Sequence, residues 1–103
     1  MALGLVPIVV NYGGPAETVT DLTGFRVPLG TRTEIVKGLR EALTRLADDS
    51  SALPAMSSRA QKHALNHFTW SAKAKQVLEV YRWVLKKRAG KPDFGRPFRD
   101  EVS

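Results

Sequence analysis

The run Pro-Ile-Val-Val-Asn at residues 7–11 constrains this chain more than any other stretch. It is short, β-branched and continuously apolar, the pattern of a parallel strand buried on both faces. Proline at its first position is tolerated, because the ladder needs no hydrogen-bond donor there. Such a strand demands neighbours in a sheet and helices above and below it. The sequence offers one other strand candidate, Gly-Phe-Arg-Val-Pro-Leu at residues 24–29, ended by Pro28. Two strands cannot form a parallel sheet covered on both faces. Strands alternating with helices imply a parallel α/β layout, so the chain reads as the C-terminal piece of a larger α/β domain with an incomplete sheet.

The rest of the chain is helical in pattern. Residues 1–4, Met-Ala-Leu-Gly, resemble the last turn of a helix closed by Gly4, and they are too few to form a helix themselves. After the first strand, Pro15 suits the first position of a short helix, which places Glu17 in its first turn, favoured by the helix dipole. Thr31 and Glu34 predict a capping box, followed by an apolar face of Ile35, Val36, Leu39, Leu43 and Leu46. Leu53, Met56, Ala60, Ala64 and Phe68 mark a second long helix. Thr69 caps a third, with Ala74, Val77, Leu78, Tyr81 and Leu85 on the expected buried face and Gly90 at its end. Residues 1–90 are thus expected to form one partial domain. Residues 91–103, with two prolines and no period, are expected to be an irregular tail.

Composition narrows the setting. At 103 residues the chain is one domain or part of one, and 43% hydrophobic with 25% charged residues is ordinary globular usage. It has no cysteine, which rules out a disulfide framework and thiolate chemistry and is compatible with a cytoplasmic setting. The apolar N-terminus lacks the basic segment and cleavage site of a signal peptide. The net charge of +6 is unevenly placed. Residues 1–69 carry seven basic and six acidic side chains, residues 70–103 nine and four. A basic C-terminal end fits a solvated helix face, a partner domain or an anionic membrane surface.

The stretch Val-Val-Asn-Tyr-Gly-Gly-Pro-Ala-Glu-Thr-Val at residues 9–19 carries the chemistry. Ligands in open α/β sheets bind outside the carboxyl ends of the strands. Gly13 and Gly14 stand at such an end, where glycine lets the backbone approach a ligand closely. Glu17 would repel a phosphate and is better suited to accept hydrogen bonds from sugar hydroxyls. The same residues also fit an ordinary strand-to-helix turn.

In order along the chain, Met1–Val19, then Thr-Gly-Phe-Arg-Val-Pro-Leu-Gly, then the capped helix through Leu-Arg-Glu-Ala-Leu-Thr-Arg-Leu-Ala-Asp-Asp, then residues 56–81 resemble the closing segment of group 1 glycosyltransferases. The resemblance spans residues 1 to about 88. Gly13, Gly14, Pro15 and Glu17 match that family's glycine-glycine-proline-x-glutamate loop. His67–Trp70 is similar to its aromatic motif, and Tyr81 falls where its last helix has a tyrosine. The resemblance implies a Rossmann-like C-terminal domain of the GT-B architecture, without a cofactor or catalytic metal. It implies an enzyme that moves a sugar from a nucleotide-sugar donor to an acceptor with retention at the anomeric carbon. Donor-binding residues carried over are Gly13, Gly14 and Glu17, and no catalytic residue. The family's paired glutamates, its diphosphate-neutralising residues and its acceptor domain would lie upstream, the second glutamate directly before Met1. The chain alone is then expected to be inactive. Its expected partners are the donor, a missing N-terminal domain, and a membrane surface or lipid-linked acceptor. The tail after Gly90 matches no family motif.

Other constellations are weaker. His63 and His67 stand at i and i+4, a spacing that serves a metal, but no third ligand matches. Trp70 and Trp83 are expected to be packing anchors rather than stacking platforms. The competing reading is a non-enzymatic basic α/β module that binds nucleic acid or a protein partner. An uncovered apolar strand also favours self-association.

Overall fold

A computed structural model describes residues 1–95 of the chain. The elements are β1 (Ile8–Val10), α1 (Gly13–Thr18), β2 (Phe25–Val27), α2 (Arg32–Asp48), α3 (Leu53–His67) and α4 (Trp70–Val84). β1 and β2 pair in parallel, with Ile8 opposite Phe25, Val9 opposite Arg26 and Val10 opposite Val27. The ladder runs on at both ends: Phe25 N donates to Pro7 O at 2.9 Å and Asn11 N to Val27 O at 2.7 Å. The fold is therefore α/β, with a two-stranded incomplete sheet followed by helices.

β1 is only half-buried along its length, against the expectation of burial on both faces. Backbone groups alternate sides along a strand, and Pro7 and Asn11 point toward β2. Ile8 and Val10 thus turn their N–H and C=O groups to the opposite edge, where no described strand pairs with them.

The connections are held by local polar bonds. In the turn between α1 and β2, buried Thr20 and Thr23 satisfy each other: Thr20 N donates to Thr23 Oγ1 at 2.9 Å, and Thr23 N to Thr20 O at 3.1 Å. Met1–Gly4 form a turn closed by Gly4 N to Met1 O at 2.9 Å, with Gly4 at φ +84° as a left-handed cap requires. Helix α3 grips both connections. Ser57 Oγ donates to Gly4 O at 2.6 Å, and Arg59 Nε donates to Leu22 O at 2.9 Å.

The capping box of α2 forms as expected. Glu34 N donates to Thr31 Oγ1, and Thr31 N donates to Glu34 Oε2 at 2.7 Å. Helix and sheet approach closely at Gly38, where a Cβ would run into Val27 Cγ1. The apolar stripe is only partly used: Ala42 is buried and Ile35, Leu39 and Leu46 are half-buried, while Val36 and Leu43 are exposed. In α3 the periodic positions Met56, Ala60 and Ala64 are all buried.

Helix α4 departs most from expectation. Its Thr69 cap is present, with Ala72 N donating to Thr69 Oγ1 at 3.0 Å. Its half-buried residues are Ala72, Lys73, Gln76, Glu79 and Val80, on the side that meets α3. The expected buried face is instead outward: Ala74, Val77, Leu78, Tyr81 and Leu85 are all exposed. Periodicity locates an apolar stripe but not its neighbour, and among the described residues no element covers this one. Trp70, expected to anchor packing, is 91% exposed, and Trp83 is exposed as well. The helix also ends at Val84 rather than Gly90, because Lys86 takes a left-handed φ of 57°. Residues 91–95 have no regular structure, and the remainder of the expected tail lies outside the described residues. No described helix is long and apolar enough to cross a membrane.

Candidate functional site

The candidate loop leaves β1 at its carboxyl end, beside the end of its neighbour β2. Asn11 still belongs to the ladder through Val27 O. Tyr12 is extended, at φ −152° and ψ 139°, and its N–H turns back to Val10 O at 2.7 Å. The chain reverses direction there and enters α1 at Gly13, whose φ of +60° a side chain would oppose. Helix α1 begins two residues before Pro15, earlier than the expected start. Glu17 therefore lies beyond the first turn, which contains no acidic residue. Its expected service to the helix dipole is not part of this geometry.

The two glycines differ in what the fold asks of them. Gly13 needs its positive φ, whereas Gly14 has no such requirement. At both positions a Cβ would meet nothing within 4 Å, so neither glycine is there to make room for the protein's own atoms. Asn11, Tyr12, Gly13, Gly14, Pro15 and Glu17 are all exposed. The loop thus presents an open backbone surface at a strand end, with a carboxylate at Glu17 that makes no hydrogen bond or ion pair among the described residues. Thr18 steadies the end of α1 by donating from Oγ1 to Pro15 O at 2.9 Å. The arrangement can accept hydroxyl donors at Glu17 and offer backbone N–H groups at the glycines.

A separate cavity of about 250 Å³ lies between β2 and α2, floored by Val27, Gly38 and Ala42 and edged by Asp21, Arg26, Glu41 and Arg45. Arg26 is held to Asp21 at 2.8 Å there. None of Gly13, Gly14 or Glu17 lines it, so sequence reasoning about the loop neither found it nor depends on it. The structure brings His63 and His67 together, with ring centroids 4.9 Å apart, in a cluster with Phe68, whose ring lies 5.4 Å from Lys73 Nζ. Among the described residues no group of three or more His, Cys, Asp or Glu is placed to hold a metal. The histidines pack as aromatic rings at the α3–α4 corner.

No protein-family model matches the chain, and no solved structure matches it. It is 34% identical over 82 residues to the glycogen synthase of Deinococcus radiodurans. That alignment covers 80% of this chain and 18% of the relative, so the chain spans under a fifth of the length of the enzyme it matches. The chain is thus similar to a segment of a glycosyltransferase. The similarity lends nothing to the nucleic-acid reading of its basic charge.

Proposed function

We propose that this chain is the donor-side segment of a GT-B glycosyltransferase, and that the loop around Gly13, Gly14 and Glu17 holds the sugar end of a nucleotide-sugar donor. The observation that carries this reading is the vacant space at both glycines, at the carboxyl end of a parallel strand. Gly14 is left without a structural reason to lack a side chain, and close approach of a ligand supplies one. The Glu17 carboxylate, without a partner among the described residues, then accepts hydrogen bonds from donor hydroxyls. A sugar presents several such donors, and a bare phosphate presents none that this carboxylate would welcome.

In the proposed reaction the bond from the anomeric carbon to the diphosphate oxygen breaks, and a bond to an acceptor hydroxyl oxygen forms on the same face. The diphosphate leaves with the electron pair, and the acceptor's proton passes to it. Stabilising that leaving charge calls for preorganised cations and N–H groups. Residues 11–18 carry no lysine or arginine, so in this reading those groups come from elsewhere in the enzyme. The chain by itself binds donor weakly and does not turn it over.

Backbone amide NMR of the chain, titrated with ADP-glucose and UDP-glucose, tests the reading. The expected result is a set of shifts confined to residues 11–18, lost in Glu17→Gln and not reproduced by inorganic phosphate. No perturbation at millimolar donor, or equal perturbation by phosphate alone, would overturn it.

A further inference from the structure

We propose that Arg59 of α3 is a positioning residue for the donor loop, an inference that rests on the donor reading given above. Glu17 serves a donor only where α1 puts it, and α1 has six residues and buries no side chain of its own among the described residues. So short a helix is not stable by itself, and its place is set at its two ends. At the front, Asn11 is fixed by the ladder through its bond to Val27 O. At the back, the chain leaves α1 through Val19 and Thr20, both buried, into a tight turn. There Thr20 N donates to Thr23 Oγ1 at 2.9 Å, and Thr23 N and Gly24 N both donate to Thr20 O at 3.1 Å. These bonds make residues 19–24 one unit, which moves together with the C-terminal end of α1.

Arg59 ties that unit to the helical half of the chain. From a half-buried position on α3 its Nε donates to Leu22 O at 2.9 Å, across 37 residues of sequence. The donor is a cation and water reaches the bond only in part, so it is stronger than an ordinary neutral hydrogen bond. The same helix holds the chain ahead of β1. Ser57 Oγ donates to Gly4 O at 2.6 Å, and Gln61 Nε2 to Ala2 O at 3.1 Å. Those two bonds stand at the end of the strand away from the loop, whereas the Arg59 bond is five residues from Glu17. Losing the Arg59 bond lets α1 swing about its junction with β1. Glu17 then stands in its donor-holding position for only part of the time, and affinity falls by that fraction. Losing the Ser57 bond leaves the loop in place.

The test separates the Nε donor from the rest of the side chain. Arg59→Gln sets an amide Nε2 at the same number of bonds from the backbone, while Arg59→Met puts there a methyl group that cannot donate. Donor affinity is read from the amide shifts of residues 11–18 under ADP-glucose and UDP-glucose, and folding from circular dichroism. Arg59→Met should weaken donor binding at least about threefold, as a loop in place about a third of the time requires. Arg59→Gln should stay within about twofold of the unaltered chain. Ser57→Ala removes a side-chain bond of the same helix to the other connection, so it should lower stability and leave affinity unchanged. In the unaltered chain, saturating donor should slow solvent exchange of the Arg59 Nε proton, because binding and loop order are linked in both directions. An exchange rate that donor leaves unaltered overturns the proposal, even where Arg59→Met does not fold. A loss of affinity as large in Arg59→Gln or Ser57→Ala as in Arg59→Met also overturns it. If the unaltered chain shows no donor shifts, the donor reading fails and this inference with it. If it shows them and Arg59→Met keeps them at equal affinity, this inference fails alone.

Discussion

Gly14 separates the needs of the fold from those of a ligand, because the surrounding structure does not require it to be glycine. Gly13→Ala should destabilise the chain by about 1–2 kcal/mol, since φ at +60° is costly for an L side chain. Gly14→Ala should leave the melting temperature unchanged or slightly raised, because its Cβ meets open space and alanine favours helix. If the loop holds a donor, the same Gly14→Ala variant loses the donor-induced amide shifts while keeping its stability. Thermal denaturation paired with the NMR titration reads both effects on each protein. A third glycine serves packing alone: Gly38→Ala drives a Cβ into Val27 and should cost about 1–3 kcal/mol by urea denaturation.

At the scale of elements, each helix depends on its cap and on what its apolar side meets. Thr31→Ala removes one half of the α2 capping box and should cost about 1 kcal/mol, read by urea denaturation. The C-terminal end of α4 is tied by Glu79, whose carboxyl is held below the usual glutamate value chiefly by the hydrogen bond from Arg88, against the opposing effect of desolvation and with Arg82 adding to the lowering. A folded-state pKa below the unfolded one means that the contribution is present above the unfolded value, about 4.3. It is lost as pH falls through the lower folded value. Carboxyl NMR should therefore show Glu79 titrating below an ordinary glutamate, with Arg88 released in the same range. Glu79→Gln should remove that pH dependence and leave α3 undisturbed.

At the scale of the whole molecule, the described core is small. Its buried apolar side chains are Val19, Val27, Ala42, Met56, Ala60 and Ala64, and no large side chain is fully enclosed. The radius of gyration is 16.6 Å, against about 13 Å for a compact chain of this length. A chain so extended, with an open strand edge, should show uneven hydrogen exchange. The Phe25 and Asn11 amides, bonded across the ladder, should be protected, while those of Ile8 and Val10 exchange quickly. Protection at Ile8 and Val10 in the isolated chain would mean that another strand has paired with the open edge.

Local rules explain which of these features were legible. The β-branched run at Ile8–Val10, the parallel partner at Phe25–Val27, the Thr31–Glu34 box and the Thr69 cap all follow from interactions within a few residues or from strand chemistry. The buried Met56, Ala60 and Ala64 stripe was equally legible, because in α3 the periodic small and apolar positions are the ones the fold buries. The early start of α1 was not, since the positive φ at Gly13 brought the helix in ahead of Pro15 and moved Glu17 past the first turn. The outward face of α4 was not legible either. Its periodicity is the same whether the stripe meets a core, a partner or solvent, and a nearest-neighbour pattern carries no record of what stands opposite. Sequence by itself therefore determined the parallel α/β layout, the helix starts at Thr31 and Thr69 and the loop at the end of the first strand, because short-range chemistry suffices for each. Tertiary structure alone decided that both glycines of that loop face open space and that the last helix turns its apolar side away from the chain, because both depend on which atoms are absent nearby.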